Sequence, residues 1–208
     1  MGRKNATTVR TYRGEGSEER RLRRRSELLE AGLHLLGTEG WQATTVTAVC
    51  ERARLTPRYF YESFANRDEL LVAIFDGVIA DVTRETLAVQ PANAEETLRA
   101  TVKAFVKVVT DDPRKGRAIF LEALGSEALW RRRIEGMHWF ARRIADQARA
   151  GRRLRKGEAR RIETASLIAA GGLIELMIAW LDRGLDSTAD ELIENYTRSC
   201  AAALTAAF

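Results

Sequence analysis

Apolar residues recur at spacings of three and four along nearly the whole chain, and no convincing run of alternating β-branched positions interrupts them, so the pattern predicts an all-α protein. A first helix is predicted over 18–38, with Leu28, Leu29, Gly32, Leu35 and Leu36 on one side. It stops at Glu39-Gly40, where glycine supplies a left-handed cap. A second starts at Thr44-Thr45, natural N-cap residues, and aligns Val46, Val49, Cys50 and Ala53 over about two turns. Thr56 is placed to cap a third, with Pro57 at the first helical position, where a missing N–H costs nothing. Asn66, followed three residues on by Glu69, opens a fourth through Leu70, Leu71, Ile74, Phe75 and Val78. Beyond Gln90-Pro91 longer helices are predicted over 94–110, 114–124, 127–150, 159–183 and 189–206. Two units emerge, a small amino-terminal one at 18–65 and a larger helical one at 66–208. Residues 1–17 show no periodicity and read as a flexible basic arm.

The stretch LTPRYFYESF concentrates aromatic residues in a chain with only 7% of them. On a helix Phe60 and Phe64 share one face, Arg58 and Glu62 lie opposite, and Tyr59 and Tyr61 take the flanks. One side is core and the other is a hydrogen-bonding aromatic surface. Two short helices joined by a tight turn, the second polar outside, outline a helix-turn-helix.

The net charge of +5 is compatible with nucleic acid, an acidic membrane surface or a solvated basic face. Arginines crowd the first 25 residues, including Arg20, Arg21, Arg23, Arg24 and Arg25, where they suit phosphate or minor-groove contact or a charged helix start. Those between Arg131 and Arg161 flank an apolar stripe, as the outer face of an amphipathic helix does. Cys50 and Cys200 sit in helical apolar patterns and read as buried reduced thiols; no Cys/His spacing suits a metal, and no cofactor is expected. The apolar run Leu167 to Leu181 is interrupted by Glu175 and reads as too short to span roughly 30 Å of hydrocarbon. With no apolar signal-peptide core at the amino terminus, the expectation is a cytoplasmic protein without a membrane partner. GxSxG, HExxH, P-loop and GxGxxG motifs are absent, which argues against an enzyme.

LLGTEGWQATTVTAVCERARLTPRYFYESFANRDELLVAIFD closely resembles the DNA-binding domain of the TetR family of bacterial transcription regulators, over about 24–76. The likeness is carried by Gly40-Trp41, Thr44-Thr45, Tyr61, Phe64 and Arg67-Asp68-Glu69-Leu70. It departs at Arg54, where the family usually has a turn glycine. The resemblance implies phosphate contacts from Thr44, Tyr61 and Arg67, although a plain cap is the alternative for Thr44 and Thr45. Arg58 and Tyr59, near the start of the recognition helix, are placed to meet base edges; Arg58 can pair with guanine, or with Glu62 one turn on. Thr45 and Thr56, at the two helix starts, complete the candidate DNA-binding set.

One short recognition helix reads too few bases for specificity, so a homodimer on palindromic double-stranded DNA is expected. Ile193, Tyr196, Cys200, Ala203 and Ala207 form one narrow stripe suited to the interface, and Ile162, Ala169, Leu173, Leu176 and Trp180 another; packing within one chain is the alternative. Phe105, Phe120, Trp130, Met137, Phe140 and Met177 are candidates to line a cavity for a small-molecule effector, as the resemblance implies, with ordinary core as the rival reading. Glu122, His138 and Glu175 are weaker polar candidates. Gly171-Gly172 serves either close helix packing or ligand space. The resulting expectation is a homodimeric repressor released from its operator by an effector. The alternatives are an architectural DNA binder and a basic membrane-surface protein.

Overall fold

The computed structural model describes residues 16–88, 92–182 and 184–206; the expected arm lies outside them except for Gly16 and Ser17. All regular structure among the described residues is helical: α1 (Ser17–Thr38), α2 (Val46–Ala53), α3 (Pro57–Tyr61), α4 (Arg67–Leu87), α5 (Ala94–Asp111), α6 (Pro113–Gly116), α7 (Glu127–Arg149), α8 (Glu158–Leu181) and α9 (Ala189–Thr205). Helix starts follow their caps. Thr45 accepts the Ala48 N–H, Asn66 the Glu69 N–H and Thr188 the Glu191 N–H, each satisfying a donor that the first turn leaves free.

Helices α1 to α3 close over Leu28, Leu35, Leu36, Val49, Phe60 and Phe64, all buried. Helix α4 belongs to both units. It lies against α1 on one side and against α5 and α7 on the other, so one apolar cluster runs through the expected boundary at 65/66. In the larger unit α5 lies between α4 and α9, and α7 lies along α8.

The single helix expected over 114–124 is not formed. Helix α6 passes into a π-helical turn at Arg117–Leu121 and then a 3-10 turn at Glu122–Leu124. Arg117 and Glu122, five residues apart, pair at 2.9 Å across the wide turn, a spacing that suits its i to i+5 geometry. Gly116 is pressed against Val109, 3.0 Å from where a Cβ would stand, which fixes the segment on α5.

Helix α8 forms where a helix was expected over 159–183, but taken whole, and not as the run from Leu167 alone, it is by length and composition long and apolar enough to cross a membrane. It is laid against α7 and α9 with Ile162, Ala169, Leu173 and Met177 buried, and it leaves Ile168 65% exposed.

Candidate functional site

Gly40, at φ +90°, turns the chain out of α1, and Thr44 Oγ1 donates to the Gly40 carbonyl at 2.8 Å. That bond, and complete burial of Thr44, correct the expectation that Thr44 offers its side chain to a phosphate. The exposed N-cap hydroxyl is Thr45's. Its oxygen accepts the Ala48 N–H, which leaves the O–H free to donate outward. Between α2 and α3, Arg54 takes the left-handed conformation at φ 55°, ψ 39°. Its N–H donates to the Glu51 carbonyl at 3.1 Å and that of Leu55 to Cys50 at 2.9 Å, so the turn keeps its hydrogen bonds around a strained arginine.

Helix α3 is five residues long and owes its position to packing. Phe60 and Phe64 are fully buried, with ring centroids 5.7 Å apart. Burial of each contributes about 1.5–3 kcal/mol relative to exposure. Two arginines of α1 hold the helix from outside: Arg24 lies 4.4 Å over the Tyr59 ring and 3.7 Å from Glu62, and Arg25 lies 4.3 Å over Phe64. Arg24 and Arg25, expected to suit phosphate or minor-groove contact or a charged helix start, here pack against α3.

The surface so presented carries Thr45, Thr56, Arg58 and Tyr61. The Arg58 side chain is 84% exposed and meets Glu62 at 3.1 Å, and Tyr61 is 59% exposed with its ring edge-on to Phe60. Thr56 is the N-cap of α3 with no side-chain cap bond, so its hydroxyl is uncommitted. Tyr59 is half-buried under Arg24. Arg67 is half-buried and stacks 4.5 Å over the Trp41 ring, which draws it toward the junction of the two units.

That junction is tight. Glu122 accepts the Trp41 N–H at 2.9 Å, and Gly125 lies so close that a Cβ there would fall 2.0 Å from the indole. Only glycine fits beneath that ring. Arg114 reaches back to Glu30 of α1 at 2.6 Å while pairing with Asp112. The segment from α6 to Leu124 thereby clasps the end of α1 on one side and offers Ile119 and Phe120 to a cavity on the other.

The cavity lies among α4, α5, the π-helical turn, α7, α8 and α9, with about 40 Å³ of open space. It brings together four of the six expected effector residues, Phe105, Phe120, Met137 and Phe140, with Phe105 5.6 Å from both phenylalanine rings. Trp130 is excluded because it sits half-exposed on the outer side of α7, and Met177 because it is fully buried in packed core away from the cavity. His138 and Glu175 are exposed, and Glu122 serves the junction. Arg133 and Thr101 also line the cavity and were not among the expected effector residues, and Tyr196, expected at the dimer interface, lines it as well. Arg133 stands one turn before Met137 and two before Phe140 on α7, a spacing that signals a shared face.

The expected dimer stripes turn inward. Tyr196 is buried and its hydroxyl donates to the Ala169 carbonyl at 2.7 Å; Ile193 and Cys200 are half-buried against the same core. Ala169 meets Tyr196 from within the chain, and Ile162 and Leu173 are buried too. Of the proposed interface residues only Ala203 is exposed, and Ala207 lies outside the described residues. The outward faces of α8 and α9 instead carry Ile168, Gly172, Ala202 and Ala203.

A phenylalanine-anchored second helix, a capped first helix and a tight turn between them define a helix-turn-helix unit, joined here to a helical bundle that encloses an apolar cavity. Residues 28–74 match the model for bacterial regulatory proteins of the tetR family. Over 104 residues it is 33% identical to the HTH-type transcriptional regulator TcmR of Streptomyces glaucescens, an alignment that spans half of this chain (50%) and 45% of the relative. Among solved structures it shares its fold with the fatty acid degradation regulator FadR from Bacillus halodurans, at 15% identity over 90% of this chain and 96% of that one, with a TM-score of 0.69. The transcriptional regulator FadR from Bacillus subtilis, in complex with stearoyl-CoA, matches at 15% identity over 88% and 98%, with a TM-score of 0.68.

Proposed function

We propose that the chain is a sequence-specific DNA-binding transcriptional regulator that acts in the cytoplasm as a homodimeric repressor of a palindromic operator and is released by a small-molecule effector. The observation that carries this reading is the exposed pair Arg58 and Tyr61 on a short helix fixed from beneath by Phe60 and Phe64. Such a helix presents side chains to a major groove without losing its own position. Tyr61 supplies a hydroxyl for a phosphate, as does Thr45, which takes the role expected of Thr44, and Arg58 supplies a guanidinium for a guanine edge. The outward apolar faces of α8 and α9 are the proposed interface with a second copy, an assembly that also covers Ile168. The cavity beside the junction is the proposed effector site, and the Bacillus subtilis neighbour, which shares the fold and is in complex with stearoyl-CoA, supports a ligand-binding role. Selection of bound sequences from random duplex DNA tests the reading. A two-fold-symmetric motif is expected, and retention of all sequences alike would favour an architectural binder.

A further inference from the structure

We infer that the cavity takes an amphipathic ligand bearing one carboxylate on an apolar body, and that Arg133 receives the carboxylate. This rests on reading the cavity as the effector site. The walls are almost wholly apolar, and Arg133 is the one charged residue among those that line them. Its Nη1 is buried without a hydrogen-bond partner, a costly state for a guanidinium. The acidic groups nearest along α4 and α7 are committed elsewhere, since Asp76 and Glu135 both pair with Arg132. Glu175 is exposed on α8 and acts on Arg133 only through space. Burial pushes the Arg133 pKa down, with Glu175 opposing, and a guanidinium stays charged through any such shift near neutral pH.

The other polar groups on the wall sharpen the choice. Thr101 Oγ1 donates to the Thr97 carbonyl and the Tyr196 hydroxyl to the Ala169 carbonyl, each at 2.7 Å, so both turn only lone pairs toward a ligand. Arg133 is therefore the donor to which an anion goes. A cationic ligand meets repulsion there, and a neutral one leaves Nη1 unpaired. The open space is small, but Met137 is flexible and faces Gly171, whose Cβ position lies 3.9 Å from its sulfur, so that side chain has room to swing. A space of about 40 Å³ holds only a few waters, so an apolar chain enters as Met137 and its neighbours give way.

Calorimetric titration of the full chain with octanoate, 1-octanol and octylamine tests this, alongside Arg133→Met, which keeps the side chain's length, and Arg133→Lys, which keeps its charge. Octanoate is expected to bind the wild type at least about tenfold more tightly than octanol, as a charge-assisted buried contact warrants. Arg133→Met is expected to lose that preference while still binding octanol, and Arg133→Lys to keep part of it. Circular dichroism and the midpoint of thermal unfolding show that the variants are folded. Equal binding of octanoate and octanol by the wild type, or a preference that survives in Arg133→Met, overturns the role of Arg133 but leaves the cavity a ligand site. If none of the three compounds binds, the effector-site reading falls, and this inference with it.

Discussion

The carboxylate of Glu122 accepts the backbone N–H of Trp41 at 2.9 Å, joining positions 81 residues apart. The same carboxylate pairs with Arg117, and the turn that carries both places Ile119 and Phe120 in the cavity wall. Trp41 in turn lies under Arg67 at the start of α4 and against Gly125. A ligand that displaces Phe120 therefore acts on the segment that holds the end of α1. Coupling of this kind requires that the ligand favour one arrangement of that segment over another. Glu122→Ala is expected to leave ligand affinity intact while shrinking the ligand's effect on DNA affinity, and to cost about 1–3 kcal/mol of stability through the orphaned N–H and guanidinium. DNA titrations with and without saturating ligand check the first effect and denaturant unfolding the second. A variant with full ligand response would place the coupling elsewhere.

Arg54 occupies a left-handed turn that suits glycine. For a residue with a Cβ this conformation costs roughly 1–2 kcal/mol. Replacement by glycine removes that strain but adds freedom to the unfolded chain, so Arg54→Gly is expected to stabilise by up to about 1 kcal/mol, and Arg54→Val to destabilise by at least as much. The midpoint of denaturant unfolding reads both. A loss of stability in Arg54→Gly would mean that the arginine side chain makes a compensating contact in the native state.

Local chemistry made the amino-terminal unit legible. Gly40, Thr45, Pro57 and Asn66 each act within a few residues of themselves, so a cap or a turn can be read from the chain alone, and Phe60 and Phe64 follow from helical spacing. Thr44 and Thr45 both suit the start of α2, and only the chain's path decides which hydroxyl caps it and which is buried against the Gly40 carbonyl. The π-helical turn was invisible for a different reason: Gly116 against Val109 and Glu122 against Trp41 are contacts across the fold. The stripe of Ile193, Tyr196 and Cys200 was sound as periodicity, but periodicity gives a face and not its partner, and α9 turns that face to α8 of its own chain.

Asp112 caps α6 through the Arg114 N–H and pairs with its guanidinium. The Arg114 guanidinium holds the Asp112 carboxyl below the usual carboxylate range. Because the folded pKa is the lower one, this stabilisation is present above the unfolded value and fades as pH falls through the folded one. Asp112→Asn is therefore expected to cost about 1–2 kcal/mol at neutral pH and progressively less below about pH 4. Thermal unfolding from pH 7 to pH 3 reads the convergence. A constant gap between variant and wild type would assign the loss to capping geometry alone.

If α8 and α9 bury their outward faces against a second copy, the large exposed side chain of Ile168 stands in the interface while Tyr196 stands behind it. Ile168→Glu and Ala203→Arg are then expected to shift the protein to monomer and to weaken operator binding, whereas Tyr196→Phe keeps the dimer and loses roughly 1 kcal/mol with its hydrogen bond. Sedimentation velocity separates the cases. A dimer that survives both charged variants would move the interface off these helices.

Arg58 and Tyr61 lie three residues apart and invite opposite tests. Tyr61→Phe keeps the ring edge-on to Phe60 and removes only an exposed hydroxyl, so the fold is unaffected and binding to all sequences weakens alike if that hydroxyl holds a phosphate. Arg58 contributes little to stability, because its pair with Glu62 is exposed and Arg24 lies within 3.7 Å of the same carboxylate. Arg58→Ala is expected to lower general affinity by the loss of one charge, and beyond that to reduce discrimination at one base pair of each half-site by about 1–3 kcal/mol. Both variants are titrated at fixed salt against the selected operator and its single-base changes. Uniform loss for Arg58→Ala makes it a backbone contact. An altered base preference for Tyr61→Phe means that α3 enters the groove turned about its axis, with the Tyr61 edge, and not the Arg58 edge, toward the bases.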